Sequence, residues 1–127
     1  MASSTSSLPP LGTVLVIGGC GFLGYHLVRA LLEDSECGPV YVLDVRISTN
    51  IHSCANCITG SITAVETFDA FLKKIQPQVI FHAASPNPTY TTLSNRNLFY
   101  ETNVKGTEIL LTAATESESV KASVFTS

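Results

Sequence analysis

A cluster of glycines and one downstream aspartate are the residues of this sequence best suited to hold a charged ligand. The run Thr-Val-Leu-Val-Ile-Gly-Gly-Cys-Gly-Phe-Leu-Gly occupies positions 13–24. Two glycine frames fit it, Gly19-x-Gly21-x-x-Gly24 and Gly18-x-x-Gly21-x-x-Gly24. In either frame the first glycine turns the chain sharply after a strand. Gly21, without a Cβ, lets backbone approach a pyrophosphate, and Gly24 lets the next helix lie close to the strand. The phosphates would then sit at a helix N-terminus, where open N–H groups and the helix dipole favour negative charge. The backbone N–H groups of Phe22 and Leu23 serve that end, while their side chains are expected to pack in the core. Asp44 lies 20 residues beyond Gly24, the spacing of an acid that accepts hydrogen bonds from ribose hydroxyls. Its charge would repel a 2′-phosphate, so Asp44 favours NAD; Arg46 nearby could pair with that phosphate and leaves NADP open. The plain alternative for Asp44 is a polar residue closing a strand.

Four further groups could do chemistry. Ala83 and Ala84 are small where a cofactor would cross the strand ends, or simply where a helix packs. His82, beside them, reads as a satisfied core histidine rather than a catalytic one. Asn103, inside a helical stretch, either faces solvent or uses its amide to hold a neighbouring strand or a water. Cys54-x-x-Cys57 has the spacing of half a zinc site, with His52 close by. A second pair of ligands is missing, so the expectation is packed free thiols and no metal. Cys20 reads as a small residue required by the turn.

These residues need a sheet to position them. Residues 13–18 form the first strand, with an unbroken Val-Leu-Val-Ile run suited to a strand covered on both faces. A helix is expected from Phe22 to about Asp34, with Phe22, Leu23, Leu27, Ala30 and Leu31 buried and Gly38-Pro39 closing the helical region. Val40–Leu43 makes a second strand that ends at Asp44. Residues 46–56 show no helical period and read as a polar loop. Cys57–Thr59 makes a short third strand. Val65–Ile75 reads as a helix with Val65, Phe68, Leu72 and Ile75 on one face, ended by Pro77. Val79–Ser85 is a fourth strand and its exit. A long helix is expected from about Leu93 to Ser117, with Leu98, Thr102, Ile109, Leu110 and Ala113 buried. A fifth strand begins at Val120. Strands alternating with helices predict an α/β fold, a Rossmann-like parallel sheet of five strands in order 3-2-1-4-5, with the nucleotide at the switch between strands 1 and 4.

Composition narrows the classes. A chain of 127 residues, 45% hydrophobic and 13% charged, suits one domain with one core. A net charge of −3 offers no basic footprint for nucleic acid. No run of about 18 apolar residues provides a membrane segment. Residues 1–10, rich in Ser and Pro and without positive charge, are expected to be a disordered lead and not a secretory signal. Residues 11–127 then form the nucleotide-binding domain. Free thiols and no leader point to an intracellular, cytoplasmic protein.

Several segments together resemble the extended short-chain dehydrogenase/reductases. They are Ile17–Gly24, Val42-Leu43-Asp44, Gly60-Ser61-Ile62, Phe81-His82-Ala83-Ala84, Asn103-Val104-Lys105-Gly106-Thr107 with Ile109-Leu110-Leu111, and Val124–Ser127. Within that superfamily the chain is most similar to the 3β-hydroxysteroid dehydrogenase family, and there to the fungal-type, decarboxylating sterol-4α-carboxylate 3-dehydrogenases. The resemblance implies that Gly18, Gly21, Phe22 and Leu23 line the pyrophosphate, with Gly24 behind them. It implies that Asp44 binds the adenosine ribose, and that Ala83 and Ala84 pass under the nicotinamide-side ribose. Asn103 matches the family's helix asparagine. The family usually carries an aspartate against adenine where this chain has Ser61, which leaves a weaker contact or the backbone of Ile62.

The family's chemistry uses a serine, a tyrosine and a lysine four residues after the tyrosine. Tyr25, Tyr41, Tyr90 and Tyr100 are followed four residues on by Arg29, Val45, Ser94 and Val104. No Tyr-x-x-x-Lys is present, so no catalytic residue is assigned. The expectation is an N-terminal, C-terminally truncated piece, inactive alone, of an enzyme that oxidises the 3β-hydroxyl of a sterol to a ketone in sterol biosynthesis. Its longer parent would be a homodimer, associated with the endoplasmic reticulum if it carries an anchor. The alternatives are a non-catalytic NAD(P)-binding regulator, or another extended short-chain dehydrogenase or epimerase.

Overall fold

The structure is a computed structural model, described here for residues 11–45, 55–83 and 100–126. Five parallel strands lie in the order β3-β2-β1-β4-β5. They are β1 (Gly12–Ile17), β2 (Cys37–Asp44), β3 (Asn56–Thr59), β4 (Val79–His82) and β5 (Ala122–Phe125). The helices are α1 (Phe22–Glu33), α2 (Val65–Ile75) and α3 (Gly106–Glu116), the last preceded by a π-helical stretch, Glu101–Lys105.

The apolar run of β1 is explained by helices on both faces of the sheet. Val14 and Val16 point to the α1 side, where they join Val28, Leu31, Val40, Val42 and Val79. Leu15 and Ile17 point to the other side and pack with Phe68 and Leu72 of α2, Leu110 and Ala113 of α3, and Leu43, Ile62 and Ile80. All four β1 residues are buried. Period-2 alternation thus sends the same strand into two cores.

The helix α2 has the expected bounds, and Phe68 and Leu72 are its buried positions, while Val65 is exposed. Its end is a left-handed cap at Gln76, with φ of 46°, whose N–H donates to Leu72 O at 2.8 Å. Pro77 then prevents continuation. The described part of the third helical region starts at residue 100 and is not one regular α-helix, because five residues are π-helical before α3 begins at Gly106.

Two expectations are corrected. The buried face of α1 is Gly24, Val28 and Leu31, whereas Phe22, Leu23 and Ala30 are exposed. Spacing of i, i+4, i+7 identifies that face only once Gly24 is counted as a packing residue. Gly38-Pro39 does not close the helix, which ends at Glu33 with Asp34 as its cap. Both residues lie within β2. Pairing with β1 shifts there, from Gly12↔Cys37 to Val14↔Val40. Proline is tolerated in a strand at such an irregularity, where its missing N–H costs no regular ladder bond. The expected disordered lead (1–10), most of the 46–56 loop, Cys54, His52, Arg46, Ala84, Leu93 and Leu98 lie outside the described residues.

Candidate functional site

The glycine turn leaves β1 at its carboxyl end. Gly18 has φ of 82°, a left-handed conformation that favours glycine. Its N–H donates to Leu43 O at 2.8 Å, which ties the turn to the end of β2. Gly19 is needed for space: a Cβ there would stand 2.6 Å from Val42 Cγ1. Gly24 is needed for the same reason, since a Cβ would run into the Gly18 carbonyl oxygen and lie 2.6 Å from Gly19 Cα. These three glycines are therefore accounted for by the protein itself.

Gly21 is different. Its φ is −77°, and the nearest atom to a Cβ would be Gly18 O at 3.6 Å, an ordinary contact. The protein leaves room for a side chain at this exposed position, so close packing does not require glycine here. Gly21 is also the N-cap of α1, and it supplies no side-chain cap. The first N–H groups of a helix have no intrahelical partner, and those of Phe22 and Leu23 begin this one. The side chains of Phe22 and Leu23 are 84% and 50% exposed. They flank the turn instead of filling the core, and Phe22 meets His26 edge-on with ring centroids 4.9 Å apart.

Asp44 ends β2, adjacent to the turn. Its Oδ2 accepts a hydrogen bond from Cys20 N–H at 3.1 Å, and its carbonyl accepts one from Gly60 N–H at 2.8 Å. The carboxylate is thus held to the glycine turn, and the Asp44 backbone to the exit of β3. That exit carries Ser61, whose Oγ lies 2.7 Å from Thr63 Oγ1 and accepts from Thr63 N–H at 3.1 Å. Ile62 points its side chain into the core, so only its backbone faces outward. On the other side of β1, Ala83 N–H donates to Ile17 O at 2.8 Å, which holds the exit of β4 against the turn. Gly18, Gly19, Gly21, Asp44, Ser61 and Ala83 therefore share the carboxyl edge of the sheet, around β1.

Asn103 lies in the π-helical stretch with an exposed side chain, and its carbonyl accepts from Thr107 Oγ1 at 2.7 Å. His82 is buried, 4% exposed, but it is not the satisfied core histidine expected, because its Nε2 has no hydrogen-bond partner among the described residues. Burial pushes its pKa below the ordinary value, against a smaller opposing effect of its own backbone. Its ring lies 5.7 Å from that of Phe125, and its carbonyl accepts from both N–H and Oγ1 of Thr126. Cys20, Cys37 and Cys57 are free thiols, and no group of three His, Cys, Asp or Glu side chains converges on a metal position among the described residues. Burial raises the pKa of Cys37 and of Cys57, with Asp34 and Cys20 adding to each in turn. A cleft of about 510 Å³ opens elsewhere, between the carboxyl ends of α2 and α3, lined by Lys73, Gln76 and Glu116 among others.

Sequence reasoning missed two contributors. Cys20 matters through its backbone N–H, which no residue type advertises. Thr63 matters as the partner of Ser61; Ser-x-Thr is a faint signal of a local hydroxyl contact.

A sequence profile of the 3-beta hydroxysteroid dehydrogenase/isomerase family matches residues 15–127. A decarboxylating sterol-4-alpha-carboxylate 3-dehydrogenase of Schizosaccharomyces pombe is 30% identical over 122 residues, covering 93% of this chain and 34% of the relative. The chain thus spans about a third of that protein's length. Among solved structures, UDP-glucose 4-epimerase of Thermotoga maritima with UDP-glucose superposes with a TM-score of 0.80 at 28% identity, covering 89% of this chain and 37% of the epimerase. The NAD complex of the Thermus thermophilus UDP-glucose 4-epimerase superposes with a TM-score of 0.75 at 26% identity, covering 87% and 36%.

Proposed function

This chain belongs to the 3-beta hydroxysteroid dehydrogenase/isomerase family, and from that premise we propose that its carboxyl sheet edge holds NAD for the oxidation of a sterol 3β-hydroxyl. The observation that carries the reading is the Asp44 carboxylate, held beside the glycine turn by Cys20 N–H at 3.1 Å. NAD, when bound, supplies a hydride acceptor. The chain's own residues do the rest of the binding. The open N–H groups that begin α1 meet the pyrophosphate, at a point where Gly21 leaves space for it. Asp44 accepts from the ribose hydroxyls and disfavours a 2′-phosphate, which selects NAD over NADP. Ala83 keeps the β4 exit low for the second ribose; Ala84 and Asn103 belong to the same proposal.

The substrate reading follows the Schizosaccharomyces pombe relative. Oxidation at C3 of a sterol bearing a 4-carboxylate makes a β-keto acid, whose carbonyl accepts the electrons released on loss of carbon dioxide. Without a Tyr-x-x-x-Lys, these 127 residues carry the cofactor half alone, and no turnover is expected from them. NAD-dependent sterol oxidation by the purified chain refutes that. The likeness to UDP-glucose 4-epimerases favours a second reading, in which the same cradle serves a sugar nucleotide.

Calorimetric titration tests the nucleotide site directly. NAD should bind, NADP should bind more weakly, and Asp44→Ala should weaken NAD by about tenfold or more, as for loss of a charged hydrogen-bond acceptor. NAD binding unchanged by Asp44→Ala, or no binding at all, sinks the reading.

A further inference from the structure

We propose that Ser61 and Thr63 read the purine base of the dinucleotide with a two-state hydroxyl pair that accepts a 6-oxo base as readily as a 6-amino base. The inference rests on the nucleotide-binding reading above. A dinucleotide is linear from pyrophosphate to ribose to base, and the strand ends offer matching positions in order. The glycine turn sits at the end of β1 and Asp44 at the end of β2. The next strand outward is β3, whose Thr59 pairs with Asp44. A pyrophosphate on the turn and a ribose on Asp44 therefore place the base over the exit of β3, residues 60–63.

The side-chain polar atoms of that exit are two hydroxyls. Gly60 has no side chain, and Ile62 is buried in the core. Ser61 Oγ and Thr63 Oγ1 lie 2.7 Å apart, and either can donate to the other. When Ser61 donates to Thr63, one lone pair of Ser61 accepts Thr63 N–H and the second is left to accept from a ligand. When Thr63 donates to Ser61, both lone pairs of Ser61 are used and its proton is left to donate to a ligand. A hydroxyl rotates to suit its partner, so one rotation converts the pair from acceptor to donor. An adenine 6-amino group needs the acceptor, and a hypoxanthine 6-oxo group needs the donor. A carboxylate in place of Ser61 could only accept, and would reward the amino group alone.

The test is calorimetric titration of the 127-residue chain with NAD and with nicotinamide hypoxanthine dinucleotide, then of Ser61→Asp with both. The wild-type chain should bind the two within about fivefold, and Ser61→Asp should favour NAD by about tenfold or more, the size of one mismatched hydrogen bond. A wild-type preference beyond about fivefold, or a Ser61→Asp variant with no new preference, overturns the inference while NAD binding stands. Absence of NAD binding refutes the nucleotide site itself, and the base reading falls with it. The wild-type ratio decides the matter alone if the variant does not fold.

Discussion

Gly21→Ala and Gly24→Ala separate what the glycine turn does for the fold from what it does for a ligand. At Gly24 the new methyl meets backbone that cannot rotate away: it collides with the Gly18 carbonyl oxygen and stands 2.6 Å from Gly19 Cα and 2.9 Å from Gly18 C. The turn and the first turn of α1 must separate, and overpacking of that kind costs roughly 1–3 kcal/mol. At Gly21 the methyl stands 3.6 Å from its nearest neighbour, at a φ of −77° open to any residue. Two small effects oppose each other there. Alanine loses less backbone entropy on folding, a gain of about 0.4–1 kcal/mol. It is also a poorer N-cap than glycine, a loss of similar size. The net change is expected within about 1 kcal/mol of zero. On the proposed function the methyl would occupy the space of the pyrophosphate, so NAD affinity should fall by about tenfold or more. Urea unfolding followed by circular dichroism measures the first quantity, and calorimetry the second. Gly24→Ala should lower the urea midpoint at unchanged m-value, and Gly21→Ala should not. Equal destabilisation by both, or a Gly21→Ala chain that binds NAD as well as wild type, refutes the reasoning.

Two further predictions concern the core. His82 is buried with a depressed pKa, so the folded chain binds fewer protons than the unfolded chain over the interval between its folded pKa and the ordinary value of 6.5. Stability should therefore fall as pH drops below about 6.5. His82→Leu should flatten that part of the stability–pH profile, and an unchanged slope counts against the assignment. Phe68, 1% exposed among Leu15, Ile17 and Leu110, should cost about 3–5 kcal/mol on truncation to alanine. A urea midpoint close to that of wild type would contradict its place in the core.

The legible parts of this protein were those governed by residues close together in sequence. Gly18 to Gly24, the helix Val65–Ile75 with its Pro77 stop, the apolar run of β1 and the acid at Asp44 each carry their signal within a few positions. The strand order followed as well, because right-handed crossovers between parallel strands leave few arrangements. What remained hidden depends on distance through space. Phe22 and Leu23 have core-like side chains, but the packing of Gly24, Val28 and Leu31 against the sheet turns them outward. Pro39 looks like a helix stop, and only the shifted pairing of β1 with β2 makes a strand position for it. Nothing in the local sequence tells that the Nε2 of the buried His82 finds no hydrogen-bond partner among the described residues, because that depends on neighbours distant in the chain. Sequence alone determined the glycine spacing at the end of an apolar strand and an acid 20 residues beyond it. Tertiary structure decided which of its glycines the fold requires, because only the positive φ of Gly18 and the close contacts around Gly19 and Gly24 show that these answer to packing, whereas a Cβ at Gly21 would meet no more than an ordinary contact.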